Sequence, residues 1–97
     1  MSILYIVHKS PFQRNEVMLN LQLTKPDDGV LFIQDGVLIA KSVPSHIKKL
    51  YEKKEQKGVR YYFLEEDLLA RGIDTDKEKV NYDGFVNLLE KYEKVVM

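Results

Sequence analysis

Apolar residues in this chain gather in short runs, and between the runs they recur at helical spacing. Residues 2–7 (SILYIV) and 30–33 (VLFI) are continuously apolar, and residues 59–64 (VRYYFL) are rich in aromatic strand formers. Continuous rather than alternating hydrophobicity predicts strands covered on both faces, as in parallel sheets. After the first run, Ser10, Pro11 and Gln13 read as a capping box with a proline start. The helix they open is expected to reach about Leu23, burying Val17, Met18 and Leu21 with Phe12, Leu19 and Leu23 at its margins. Residues 24–29 (TKPDDG) favour a turn.

The second run stops at Gln34-Asp35-Gly36. Residues 37–40 (VLIA) fit either the return arm of a hairpin or a short buried helix. The helix is preferred, because Asp35 at a strand's carboxyl end can cap one. Pro44-Ser45 open a second long helix to about Lys57, with Ile47, Leu50 and Tyr51 as its apolar stripe and a broad lysine-rich wet face. Gly58 closes it. A short helix from Asp67 to Ala70 follows the third run and ends at Gly72. Beyond a brief turn at Thr75–Glu78, residues 80–82 read as an edge strand. A last helix starts near Asp83, with Phe85, Val86, Leu89 and Tyr92 on one face. Val95-Val96-Met97 is an apolar tail that should dock on the domain or on a neighbour, since a bare apolar terminus frays.

Strands alternating with helices predict an α/β fold: a mostly parallel sheet flanked by helices, with right-handed crossovers, as one domain over residues 1–97. Hydrophobic residues make up 44% of the chain, enough for a core, although so small a domain has little stability to spare and gains from association. Fifteen basic and fifteen acidic residues cancel, so the basic excess usual in nucleic-acid-binding domains is absent. With no cysteine and two histidines, thiolate metal sites and disulfides are excluded and a histidine-rich metal site is disfavoured. The first run lacks a preceding charged region and a cleavage site, and no stretch approaches the roughly 18 apolar residues of a membrane span. A soluble cytoplasmic protein is expected.

Ligands of open α/β sheets bind beyond the carboxyl ends of the strands. Three polar blocks lie there: His8-Lys9-Ser10 with Arg14, Gln34-Asp35, and Glu65-Glu66-Asp67 with Arg71. Lys9 and Ser10 precede a helix start, where an anion could dock, but Ser10 as a cap with Lys9 and Arg14 solvated is the simpler account. KSPF is no glycine-rich phosphate loop. A Ser10–His8–Asp35 triad lacks a nucleophile elbow. The acidic block could hold a hard cation or do acid–base work, yet Asp67 as a helix cap with Glu65 and Glu66 solvated is favoured. Arg71 can pair back to Asp67 at i,i+4. Tyr62 and Tyr82 are candidate contact residues. No catalytic residue, cofactor or metal site is assigned.

The blocks at 9–15 (KSPFQRN), 34–37 (QDGV) and 65–72 (EEDLLARG), in this order, resemble the DsrH/TusB family. Ile3-Leu4, residues 31–33, Ala40, Tyr82 and Phe85-Val86 extend the resemblance over nearly the full chain. It implies a compact α/β fold and assembly with DsrE/TusD-like and DsrF/TusC-like paralogues, in which a cysteine of the DsrE/TusD-like partner carries sulfur as a persulfide. The role it implies is sulfur relay, toward thiolation of the tRNA wobble uridine or in sulfur oxidation. Some DsrH members carry a cysteine at the position aligned with Asn20. Asparagine cannot form a persulfide, so this chain is expected to be a non-catalytic subunit. Lys9, Ser10, Arg14, Gln34, Asp35, Asp67 and Arg71 are then the candidates for a pocket rim or partner interface. A stand-alone homo-oligomer with a structural or regulatory task is the alternative, and direct contact with tRNA is left open.

Overall fold

Five parallel strands in the order β4-β3-β2-β1-β5 form the centre of the molecule in a computed structural model describing residues 2–10, 12 and 16–97. The strands are β1 (Ile3–Val7), β2 (Gly29–Phe32), β3 (Arg60–Leu64), β4 (Lys79–Val80) and β5 (Lys94–Val96). The helices are α1 (Glu16–Leu23), α2 (Ser45–Gln56), α3 (Glu65–Ala70) and α4 (Tyr82–Lys91), with a 3₁₀ helix over Gln34–Ala40. No helix among the described residues is long and apolar enough to cross a membrane.

The three apolar runs are the three central strands, and they are buried because both sheet faces are covered. On one face, Tyr5, Val7, Val30, Phe32, Tyr61 and Phe63 pack with Val17 and Leu21 of α1, Ile47 and Tyr51 of α2, Val37 and Ile39 of the 3₁₀ helix and Leu68 of α3. On the other, Leu4, Ile6, Leu31 and Tyr62 pack under Leu88 and Tyr92 of α4. The short-helix reading of residues 37–40 therefore holds. The capping box of the first helix falls on Pro11 and Gln13, which lie outside the described residues.

The tail docks on the domain as expected, and it does so as a strand: β5 adds to the edge of the sheet beside β1, pairing Ile3 with Lys94 and Tyr5 with Val96. Two expectations are corrected. Helix α4 turns a different side inward, burying Leu88 and Tyr92 and half-burying Phe85, while Val86 and Leu89 stay exposed. Helix α3 begins at Glu65 rather than Asp67. Gly72, at φ 64°, then ends it in the left-handed conformation that glycine adopts without strain.

Beneath α2, Tyr51 and Tyr61 stack with ring centroids 4.2 Å apart, and burial pushes both phenol pKa values up. The Tyr61 hydroxyl donates to the Tyr51 carbonyl at 2.7 Å, but the buried Tyr51 hydroxyl finds no partner among the described residues. An unmet buried hydroxyl costs desolvation with no return. Tyr51→Phe should therefore raise stability by about 1 kcal/mol, on the order of 5 °C in Tm. A fall in Tm in a melting scan would show that the hydroxyl is bonded after all.

Candidate functional site

Where β2 ends, the chain turns sharply across the end of β1. The Ile33 N–H donates to the Val7 carbonyl at 2.9 Å, and buried Gly36 lies under that same carbonyl. A Cβ on Gly36 would stand 2.4 Å from the Val7 oxygen, so the position has no room for a side chain. Between them Gln34 takes φ 50°, a left-handed conformation uncommon outside glycine, asparagine and aspartate. Its strain is offset by a bond from the Gln34 N–H to Asp67 Oδ2 at 2.6 Å.

Asp67 is held by α3, which starts directly at the end of β3, so the carboxyl ends of β2 and β3 are cross-linked here. Arg71, one turn further along α3, completes the link. Its Nη2 and Nε donate to Asp35 Oδ1 at 3.0 and 3.2 Å. Its Nη1 donates to the Asp67 carbonyl at 3.2 Å and lies 3.6 Å from Asp67 Oδ1. The guanidinium charge is thus shared between two carboxylates and one carbonyl. Its cation is already balanced by these two carboxylates, so the arrangement can shape a rim.

Four sequence candidates, Gln34, Asp35, Asp67 and Arg71, are therefore brought together. Neither aspartate caps a helix as expected: Asp35 is spent on Arg71, and Asp67 on Arg71 and the Gln34 N–H. Lys9 and Ser10 stand at the end of β1 and join no bond of this network. Buried Ser10 accepts the Phe12 N–H at 3.2 Å. Arg14 lies outside the described residues. Glu66 is not simply solvated: its Oε2 accepts the Tyr82 N–H at 3.3 Å, and Oε1 is buried. Tyr62 is fully buried, its hydroxyl 3.1 Å from that of Tyr92, and so is no contact residue, whereas Tyr82 is exposed. Among the described residues, no cluster of three acidic, histidine or cysteine side chains could hold a metal ion.

A cleft of about 260 Å³ at the sheet edge went unread in the sequence. Ile6, His8, Leu19, Asn20 and Met97 line it. Only the seating of β5, which brings Met97 beside β1, creates it.

Residues 9–95 match the family model described as "DsrH like protein". The chain belongs to the DsrH family. Curated relatives agree with that placement. This DsrH-family chain is 38% identical to Protein TusB of Photorhabdus laumondii, over 95% of this chain and 96% of the relative. It is 35% identical to Protein TusB of Buchnera aphidicola from Acyrthosiphon pisum, over the same shares. Among solved structures, the protein Tm0979 from Thermotoga maritima aligns with a TM-score of 0.65 at 25% identity, over 92% of both chains. MTH1491 from Methanobacterium thermoautotrophicum, described as of unknown function, aligns with a TM-score of 0.69 at 16% identity, over 99% of this DsrH-family chain and 97% of that one; it shows the shared fold alone.

Proposed function

We propose that this chain is a non-catalytic subunit of a sulfur-relay complex that supports 2-thiolation of the tRNA wobble uridine. The observation that carries the reading is a family match over residues 9–95 in a chain without cysteine. Sulfur carriage as a persulfide requires a thiolate, so the carrier is a cysteine of a DsrE/TusD-like partner. Asn20, the position at which some DsrH members have a cysteine, lines the small cleft beside His8 and supplies an amide there instead. The work left to this chain is to complete the assembly in the cytoplasm and present the rim of Gln34, Asp35, Asp67 and Arg71, with Lys9 and Ser10 at the neighbouring end of β1.

The test is reconstitution. The chain mixed with its DsrE- and DsrF-like paralogues should elute as one complex whose mass by light scattering exceeds that of any component. Labelled sulfur delivered to the complex should load the partner and never this chain. A chain that forms only its own oligomer and ignores the paralogues would overturn the proposal and favour a stand-alone structural or regulatory protein.

Arg71→Ala separates rim from fold. The Arg71 side chain is 27% accessible and its pair with Asp35 faces solvent, so its loss should cost about 1 kcal/mol and lower Tm by a few degrees. The 3₁₀ helix keeps its seat through the Ile33 and Gln34 bonds and buried Val37 and Ile39, but Asp35 loses its partner at the rim, and the mixed complex should weaken by about tenfold in Kd. Unchanged affinity in a titration would remove Arg71 from the rim.

A further inference from the structure

The chain's zero net charge hides a division. Between Glu65 and Glu90 there are eight acidic residues against three basic ones, and between Lys41 and Lys57 six lysines against two glutamates. Of the three cations in the acidic part, Arg71 is already committed to Asp35 and Asp67. Large apolar side chains stand exposed within this acidic part: Leu69 at 71%, Tyr82 at 57% and Val86 at 52%. Leu69 lies one turn beyond Glu66 on α3, and Glu66 holds the Tyr82 backbone N–H. One carboxylate therefore ties α3 to the start of α4. Tyr82 and Val86 are four apart on α4 and share a face. Beside Leu69 opens a cleft of about 330 Å³ lined by Leu68, Leu69 and Ile73 together with Glu65, Asp74 and Lys79. That volume is at the small end of sites that bury a whole ligand, and it suits one large side chain.

We propose that the face made by α3, the loop to β4 and the start of α4 docks a partner subunit through an aliphatic or aromatic side chain flanked by lysine or arginine. Charge decides the occupant. A second copy approaching by the same face across a twofold axis would set carboxylates against carboxylates. A second copy offering its lysine-rich α2 would make a head-to-tail contact, which closes only into rings or runs on as filaments. A different chain with a basic, apolar-bearing surface satisfies both the charge and the apolar side chains. Tyrosine and arginine are the residue types that dominate such contacts.

The inference rests on the relay-subunit reading, with the DsrE- and DsrF-like paralogues as the probe. Leu69→Glu and Glu65→Lys alter exposed residues and should leave the fold intact by circular dichroism; Tyr82→Ser is an independent third variant. Each should weaken the mixed complex by about tenfold or more, and binding by the wild type should fall as salt rises. Leu23→Glu, at an exposed apolar residue ending α1, should bind as the wild type does. If the wild type forms the complex and all three variants bind equally well, the docking face is wrong and the relay reading stands. If the wild type binds neither paralogue, both fail. If the chain instead grows into open assemblies with concentration, and Leu69→Glu and Lys48→Glu each stop that growth, the occupant is a second copy and the proposal is overturned.

Discussion

Asp28→Ala is expected to cost about 3 kcal/mol, lowering Tm by on the order of 15 °C. Asp28 is only 1% exposed, and both carboxylate oxygens are used. Oδ1 accepts the Ile3 N–H at the start of β1, and Oδ2 accepts the Lys25 N–H in the turn after α1, each at 2.9 Å. Its own carbonyl accepts the Arg60 N–H at 3.1 Å, where β3 begins. One residue thus ties together the amino ends of the three central strands. Alanine leaves two backbone N–H groups without their acceptor, and an unmet donor costs its full desolvation. Asp28→Asn should fall between, since one amide oxygen can serve a single N–H while its NH₂ group faces the other donor. Urea unfolding of the three proteins checks the order. A loss under about 1 kcal/mol for alanine would show that water replaces the carboxylate without penalty.

Why Asp28 escaped the sequence reading shows what a single sequence can carry. In residues 24–29 (TKPDDG) it looks like one of two interchangeable turn aspartates. Asp27 is exposed at φ 77°, while Asp28 is the buried knot. Nothing local separates them, because one of the groups that Asp28 accepts from is Ile3 at the start of β1, distant in sequence. The central strands were legible for the opposite reason: burial on both faces writes itself into consecutive residues, as in Ile3–Val7. β5 was not, because three residues at a terminus carry too little pattern to distinguish a strand from a tail. Helix α4 was misread by about a quarter turn. Val86 and Leu89 are as apolar as any core residue, and only the placement of Leu88 and Tyr92 over Leu31 and Tyr62 reveals which side faces inward.

The rim was legible in part. Polar residues at the ends of three apolar runs pointed to the right end of the sheet. The i,i+4 spacing of Asp67 and Arg71 foretold one of the two ion pairs. The pairing of Arg71 with Asp35 spans two strands and depends on the adjacency of β2 and β3, which spacing does not encode. Aspartates at strand ends were read as helix caps because capping is their commonest local use. Here Ile33 and Leu64 hold the N-cap positions, so both aspartates lie inside their helices and are free to pair with Arg71.

Gly36→Ala should be the most damaging change at the rim, costing about 3 kcal/mol, toward the upper end for overpacking. The added methyl would sit 2.4 Å from the Val7 oxygen and 3.1 Å from its carbon, and both atoms belong to the backbone of a buried central strand. Neither can rotate away. The 3₁₀ helix must lift, which breaks the bond from the Ile33 N–H to that same oxygen and draws Asp35 away from Arg71. The substitution therefore acts on stability and on the rim together, whereas Arg71→Ala acts on the rim with little loss of stability. The ratio of the two effects is the informative quantity. Gly36→Ala should weaken assembly with the paralogues at least as much as Arg71→Ala, and should lower Tm by on the order of 15 °C where Arg71→Ala lowers it by a few degrees. If Gly36→Ala melts within about 3 °C of the wild type, the 3₁₀ helix is not seated against β1, and the geometry that places Asp35 beside Arg71 falls with it.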